Sequence, residues 1–487
     1  MPSLRRAGTR VRLVALALTM VLPMGCGSSS PSGSPVPGPT DGAGPSDSPT
    51  STPATTAPLV IDTDLGADDL MAICYVTTQA DYEIRAITVA GTGLVHCLPG
   101  ETNARDLLNE LNEPAVPVAC GPEEPLAGGT EFPAEWRSGA DDRYGVTLAR
   151  LPGEPAGDAV ATLAEVLIRS PEPVTILALG PLTNIASALR ADGRVAGRIA
   201  RLVIMGGALD VPGNATPQGG PAPAEWNFAA DPTAAAEVLA SGIPITLVPL
   251  DATNDVPLSP AFVERLREDD AAGPANLVSE MLSRNAYAVG VDYLWDQLAA
   301  VALIDQSVLA LDDMRLAVAS DGTEAGRLVR QAGGAPVTVA TGADEAAFQD
   351  RFLAGLRTGG PRRTPFVVAG DLMLSFDGTT CVVDAAPSLA AGTYDVRFAN
   401  RSTVDTGGVL ARIRDGSTYQ DLLDWLGENP EIIEQPPMVE ILGFVVAGAG
   451  SDAQALITMP TGTAFPVCQA VDPEANQIVL GDPFAIE

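Results

Sequence analysis

Between Pro58 and Val76 the chain reads PLVIDTDLGADDLMAICYV. Four aspartates, Asp62, Asp64, Asp68 and Asp69, fall within eight positions at the end of an apolar, β-branched run. One or two acidic residues would serve a turn or a helix N-terminus. Four carboxylates at one place repel one another unless a cation neutralises them, and an all-oxygen donor set suits a hard dication such as Ca2+ or Mg2+. An EF-hand does not fit, because the glycine stands at the wrong offset, no Glu closes a twelve-residue loop, and a strand pattern precedes the cluster. Taken alone, the cluster leaves a metal site and a helix-capping turn both open. Two further stretches carry polar residues that a core would not ask for. LVIMGGALDVPGNATPQGGPAPAEWNFAADP places Asn214, Glu225 and Asn227 in a Gly/Pro-rich loop after a strand, and VDYLWDQLAAV places Asp296 beside Trp295 at the start of an apolar helix.

Such residues need a scaffold that gathers loops from distant parts of the chain. From Pro58 to about Arg357 the apolar runs PLVIDTD, IRAITVAG, VPVACG, VTILALG, RLVIMGG and ITLVPLDAT alternate with amphipathic stretches such as DAVATLAEVLIRS and DPTAAAEVLASG. Runs apolar throughout, with helical patterns between, predict an α/β domain over residues 58–357 with a mostly parallel sheet flanked by helices. Ligands of such sheets gather beyond the carboxyl ends of the strands, which is where the aspartates stand. After TGGPRRTP the pattern changes. Residues 366–487 read as strands separated by turns, a small all-β sandwich of open topology and role, with one helix, TYQDLLDWLGE, capped by Ser417.

Taken together, DTDLGADD, the loop around Asn214 and the segment VDYLWDQ resemble the calcium-dependent nucleoside hydrolases, over about residues 57–357. The resemblance implies hydrolysis of the N-glycosidic bond of a ribonucleoside to ribose and free base, by Ca2+-activated water and through an oxocarbenium-like transition state. It implies Asp64, Asp69 and Asp296 as calcium ligands, with the main-chain carbonyl of Leu179, and Asp64 also as the base that takes a proton from water. By the same resemblance Asp68, Asn214, Glu225 and Asn227 hold the ribose hydroxyls, Met205 lies beneath the ring, and Asp62 orients the loop. Trp295 stands where the uridine-and-inosine type carries a histidine and the inosine-adenosine-guanosine type a tryptophan. With Trp136 in EFPAEWRSGADD, it implies a purine-preferring site in which indoles stack on the departing base; ordinary core packing is the alternative for both. VAGTGLVHCLPGETNA departs from the family, since Thr92 replaces a usual Asn while Asn103 keeps a later one. His96 is open between a leaving-group acid and a structural residue near a disulfide.

The remaining features concern where the chain works. Arg5, Arg6, Arg10 and Arg12 followed by LVALALTMVLPMG read as an export signal over residues 1–25. Gly25-Cys26 resembles a bacterial lipobox, with Pro23 at the usual Leu and Leu22 one place further back, so Cys26 is the expected lipid anchor. Residues 26–57, rich in Ser, Pro, Gly and Thr, read as a disordered tether that holds the folded part outside the cell membrane. The net charge of −33, with no lysine anywhere, argues against nucleic acid as a partner. A single histidine gives little support to a His-ligated metal site or a Ser-His-Asp triad. Six cysteines in an exported chain suggest disulfides, with Cys97–Cys120 and Cys381–Cys468 as candidate pairs and Cys74 as a buried thiol. The sandwich faintly resembles a cupredoxin through FPVCQAV, but no histidine follows His96, so it reads as a copper-free module. Two functional readings follow: a surface-anchored purine nucleoside hydrolase, possible as a homo-oligomer, or a nucleoside- or ribose-binding lipoprotein with little or no turnover.

Overall fold

The computed structural model describes residues 12–13, 56–153, 155–216, 222–267, 273–285, 288–357, 368–384, 388–428, 431–432, 436–470 and 478–487. The lipobox cysteine, nearly all of the signal and almost the whole tether therefore lie outside the described residues. Arg12–Leu13 (β1) is the exception, a two-residue strand paired in parallel with Glu431–Ile432.

The first folded unit is an α/β layer structure. Its strands are β2 (Ala57–Thr63), β3 (Tyr82–Val89), β4 (Val118–Cys120), β5 (Val174–Ala178), β6 (Ile199–Met205), β7 (Ile245–Val248), β8 (Leu309–Val318), β9 (Leu328–Arg330) and β10 (Ala335–Ala343). Its helices are α1 (Ala67–Val76), α2 (Cys97–Glu110), α3 (Ala134–Asp141), α4 (Ala159–Arg169), α5 (Thr183–Ala191), α6 (Trp226–Ala230), α7 (Pro232–Ala240), α8 (Leu250–Thr253), α9 (Pro260–Arg267), α10 (Gly273–Arg284), α11 (Trp295–Ile304) and α12 (Glu345–Leu356).

These strands form one sheet of order β4-β3-β2-β5-β6-β7-β10-β8-β9, parallel from β4 through β10 and antiparallel only where β8 joins β10 and β9 joins β8. Successive residues of β2 serve opposite faces: Leu59 and Ile61 belong to the apolar core that includes α1, α10, α11 and α12, and Val60 to the core that includes α4, α5 and α7. Burial on both faces is why the strands read as unbroken apolar runs. The chain leaves β2 toward β3 and β4 on one side, then returns to β5 and β6 on the other. This order reverses at β2/β5, the crevice where a parallel sheet places a ligand.

Two local readings of the sequence are corrected. The run ITLVPLDAT does not stay extended to its end: the strand stops at Val248, and beyond Pro249 the chain turns helical as α8. The exposed antiparallel strands β8 and β9 also replace what reads as a continued alternation of parallel strands and helices.

The described residues from 368 on build the β sandwich from β11 (Val368–Phe376), β12 (Cys381–Asp384), β13 (Ser388–Leu389), β14 (Gly392–Asn400), β15 (Thr406–Ile413), β17 (Val439–Ala447), β18 (Asp452–Met459), β19 (Gly462–Ala470), β20 (Ile478–Leu480) and β21 (Phe484–Ile486), with α13 (Tyr419–Glu428) and with β16 (Glu431–Ile432) paired to β1 outside both sheets. One sheet has the order β12-β11-β14-β18 and the other β13-β21-β19-β15-β17, with β20 on β19. Leu374, Phe398, Leu410 and Ile457 are among the side chains buried between them. The Cys381–Cys468 disulfide crosses from β12 to β19 and joins the two sheets, so Cys468 is not available as a thiolate ligand. Thr418, not Ser417, caps α13: its N–H and hydroxyl both donate to Asp421 Oδ2, and Asp421 N–H donates back to Thr418 Oγ1.

Candidate active site

The site begins where β2 ends. Leu65 follows Asp64 with φ of 55°, a left-handed conformation uncommon for a non-glycine residue, and turns the chain sharply into α1. Asp69 fixes this turn. Its Oδ1 accepts from the Thr63 hydroxyl and from Asp64 N–H at 3.2 Å, and its Oδ2 accepts from Gly66 N–H at 2.9 Å. Asp64 is held from outside the motif, where Leu94 N–H donates to its Oδ2 at 3.0 Å and Val95 N–H to its carbonyl at 3.2 Å. Gly93 and Gly180 are required here by close approach: a Cβ on Gly93 would lie 2.2 Å from Asp64 Cβ, and one on Gly180 2.9 Å from Asp64 N.

At the start of α11, Asp296 is brought to the same point. Carboxylate oxygens of Asp68, Asp69 and Asp296 all lie within 4.8 Å of one another. Asp64 is not in this tight group, because its carboxylate is turned to Leu94, yet it remains close enough to Asp69 for the two to interact directly. Asp64, Asp69 and Asp296 are buried and Asp68 is half-buried. Burial, with repulsion from Asp69, pushes the carboxyls of Asp64 and Asp296 well up and that of Asp68 to about 8. Mutually repelling buried acids of this kind are the donor chemistry of a hard cation, and Asp68, Asp69 and Asp296 could hold one. The carbonyl of Leu179, after β5, accepts from Asn227 Nδ2 at 2.7 Å and retains a second lone pair.

Around this centre the polar residues of the Gly/Pro-rich loop converge. Glu225 caps α6: its carboxylate accepts from the N–H groups of Gly207 at 2.8 Å, Asn227 at 2.7 Å and Phe228 at 3.2 Å. Asn227 reaches the Met205 carbonyl at 3.3 Å, and Asn214 Oδ1 accepts from Trp226 N–H at 3.2 Å. Asp62 sits behind the site, fully buried, accepting from Thr88 at 2.5 Å and Asn184 at 2.8 Å on the same oxygen. Its other oxygen has no partner, and burial pushes its carboxyl up to about 7.

Trp295 opens α11, partly buried, its ring centroid 6.1 Å from that of Tyr293 and its buried indole N–H without a protein partner. Trp136 is 42% exposed on α3 and meets Trp226 edge-on at 5.4 Å, while Phe132 stacks on Trp226 at 4.6 Å. Trp226, Phe132 and the Leu94 amide escape a reading of the sequence. Besides Trp136, the indole that follows Glu225 was a side-chain signal for this wall, and a main-chain donor leaves none. Asp292 is a further, half-buried acid near Asp68: desolvation pushes it up to about 7, and its charge contributes to raising Asp68.

The residues of the departing run each have partners within the protein. His96 precedes α2 and pairs with Asp141, ring Nδ1 to Oδ2 at 2.8 Å and backbone N–H to Oδ1 at 2.9 Å. Beside it the Cys97–Cys120 disulfide ties α2 to β4, and Cys74 is buried outside any disulfide. Thr92 shares a hydrogen bond of 2.9 Å with Thr183, and Asn103 donates to the carbonyls of Ala140 and Asp141.

The model of the inosine-uridine preferring nucleoside hydrolases matches residues 59–350. The pyrimidine-specific ribonucleoside hydrolase RihA of Klebsiella pneumoniae (strain 342) is 37% identical over 214 residues, covering 43% of this chain and 66% of that protein. Among solved structures, the plant nucleoside hydrolase PpNRh1 superposes with a TM-score of 0.57 at 28% identity, over 63% of this chain and all of the plant enzyme. A purine-preferring ribonucleoside hydrolase from Gardnerella vaginalis superposes with a TM-score of 0.53 at 25% identity, over 62% of this chain and 98% of its own. With more than half of its length matched, and its acidic cluster at the switch point of the sheet, the chain belongs to the inosine-uridine preferring nucleoside hydrolases, a family that supports N-glycosidic hydrolysis of ribonucleosides.

Proposed function

We propose that this protein hydrolyses ribonucleosides, purine nucleosides in preference, to ribose and free base, with Ca2+ held by the aspartate cluster, and that it works outside the cell on a lipid anchor at Cys26. The observation that carries the reading is the cluster of Asp68, Asp69 and Asp296 at the β2/β5 crevice, with Asp64 beside Asp69 and packed closely against Gly180 of the loop after β5. In this reading Asp64, Asp69, Asp296 and the Leu179 carbonyl hold the ion, and Asp68 lies close enough to share it. When bound, Ca2+ supplies a fixed positive charge that acidifies water and orients the sugar diol.

The chain's own residues do the rest. Asp64, its Oδ2 fixed by Leu94, accepts the proton from the attacking water; burial makes its carboxylate more basic, which suits that task. Asp68, Asn214, Glu225 and Asn227 bind ribose hydroxyls, with Met205 beneath the ring. As the glycosidic bond breaks, positive charge grows on the sugar, and the surrounding carboxylates stabilise it. Trp295, with an unpartnered N–H and a partly buried face, and Trp136, braced by Trp226, form the wall for the base. Stacking of indoles on a base that is protonated before the bond breaks, and that then leaves neutral as the charge passes to the ribose, is worth about 1–2 kcal/mol when water is excluded, and a purine offers the larger face.

The name of the K. pneumoniae relative speaks for pyrimidines and that of the G. vaginalis neighbour for purines; Trp295 supports the latter here. The test is direct: purified protein with Ca2+ is given inosine or uridine and free ribose is measured. Ribose release, faster from inosine, is expected. Saturable binding without release would instead favour a nucleoside-binding lipoprotein.

A further inference from the structure

Helix α10 is amphipathic in a way that a hydrolase domain alone does not explain. Ala275, Leu277, Val278, Met281 and Leu282 face the domain core. On the opposite face Asn276, Ser279, Glu280 and Ser283 recur at helical spacing, and in water that stripe would cost nothing. Instead all four are buried. α9 and the turn Arg143–Gly145 pack near part of this helix, and β18 of the sandwich packs against it as well.

The junction is built from partners. Arg284 Nε donates to Glu280 Oε1 at 3.0 Å, its Nη1 donates to Thr458 Oγ1 of β18 at 3.0 Å, and Thr458 Oγ1 shares a hydrogen bond of 2.8 Å with Thr393 Oγ1 of β14. Both members of the Arg284–Glu280 pair are largely buried, with side chains 17% and 8% exposed. Buried charge is tolerated only when paired and hydrogen-bonded, so this contact is an interface, of the polar kind found between domains of one chain.

What this helix carries leads to the site. α10 packs on α1, whose first turn bears Asp68 and Asp69. At its end Asn285 donates its side-chain amide to the Met281 carbonyl and accepts Ala288 N–H at 2.9 Å. Asp292 N–H then returns to the Ala288 carbonyl, Leu294 N–H bonds to Val256, and Trp295 and Asp296 follow. Arg284 also passes Gly145, where a Cβ would lie 3.9 Å from Nη1, in the turn that follows the helix of Trp136.

We infer that the C-terminal β domain is a working part of the hydrolase: seated on the polar face of α10, it holds, through Arg284 as a positioning residue, the segment 288–296 that brings Trp295 and Asp296 to the substrate. The kinetic half of this inference rests on the hydrolase reading; the structural half does not.

The test uses the full chain with Arg284→Ala, and Thr458→Arg, which sets a second cation against Arg284 from the sandwich side. Hydrogen–deuterium exchange over residues 273–296 and the kinetics of inosine hydrolysis are compared with the parent. Faster exchange in 273–296 in both variants, with β2 and β5 still protected, and a KM raised roughly 5- to 10-fold with kcat changed less are expected. If Arg284→Ala loses protection in β2 and β5 as well, Thr458→Arg, which lies in sandwich strand β18 and alters no residue of the hydrolase domain, decides alone. Exchange and KM at parental values in both variants overturn the inference. Faster exchange with an unchanged KM leaves a docked sandwich that does not serve the site, and overturns the working-part claim. A parent protein that releases no ribose defeats the proposed function, while the exchange comparison still decides whether the sandwich holds 288–296.

Discussion

Stripping divalent cations from this protein should make its fold lose stability as the pH rises from about 4 to about 8, and Ca2+ should reverse that loss most strongly at the upper end. The cause is the set of buried acids around β2. Asp62, Asp64, Asp68 and Asp296 would titrate near 3.8 in the unfolded chain, and in the fold all are pushed up, chiefly by burial and further by repulsion from Asp69, Asp62 to about 7 and Asp68 to about 8. A carboxyl with a raised folded value binds its proton more tightly in the native state. Its contribution is therefore fully present below the unfolded value and lost as the pH climbs through the folded one. For Asp62 alone, fully buried with one oxygen unpartnered, forced ionisation costs about 4 kcal/mol. At about 2–4 °C per kcal/mol, that is a fall in Tm of about 10 °C. Ca2+ at a hundred times its Kd returns about 2.7 kcal/mol, and less at low pH, where protons compete for the same oxygens. The assay is thermal unfolding followed by intrinsic fluorescence, in chelator and in excess Ca2+, at steps across this range. Asp62→Asn should flatten the chelated profile, and Asp69→Asn should remove the response to Ca2+. A chelated Tm that stays level from pH 5 to pH 8, or a Ca2+ shift of equal size at both ends, would refute the reasoning, since pH 5 lies about one unit above the ordinary carboxyl value and pH 8 about one unit above the raised value of Asp62.

Asp64→Asn should lower kcat by about a thousandfold or more with a smaller change in KM, because base and ligand charge are lost together; a near-normal kcat in steady-state assays would assign the proton transfer elsewhere. Trp295→Ala should reduce kcat for inosine far more than for p-nitrophenyl riboside, whose leaving group needs no protonation, and equal losses on the two substrates would remove the stacking argument. Cys26→Ala should move the protein from the membrane fraction to the soluble one without altering activity per molecule, and unchanged fractionation would point to a different anchor.

What the sequence determined by itself is what depends on neighbours along the chain. The apolar runs announced a sheet buried on both faces, because side chains alternate across a strand and both of its sides must leave water. Crowding of Asp62, Asp64, Asp68 and Asp69 announced a charged centre, and the cysteine spacing suggested the pairs that form, Cys97–Cys120 and Cys381–Cys468. Less was legible where the local pattern is ambiguous. β8 carries Asp312, Asp313 and Arg315 and lies mostly exposed near the sheet's edge, so it does not read as a buried strand. Thr418 and Ser417 are equally good helix caps until Asp421 chooses between them. Only the tertiary structure decided the rest. It turned Asp64 toward the Leu94 amide and left Asp68, Asp69 and Asp296 as the tightest group; it assigned Glu225 to three backbone N–H groups, and paired Arg284 with Thr458. These contacts join residues far apart in sequence, several of them through main-chain atoms that every residue carries. Such atoms have no composition or period to betray them, and folding must close the intervening loops before they meet.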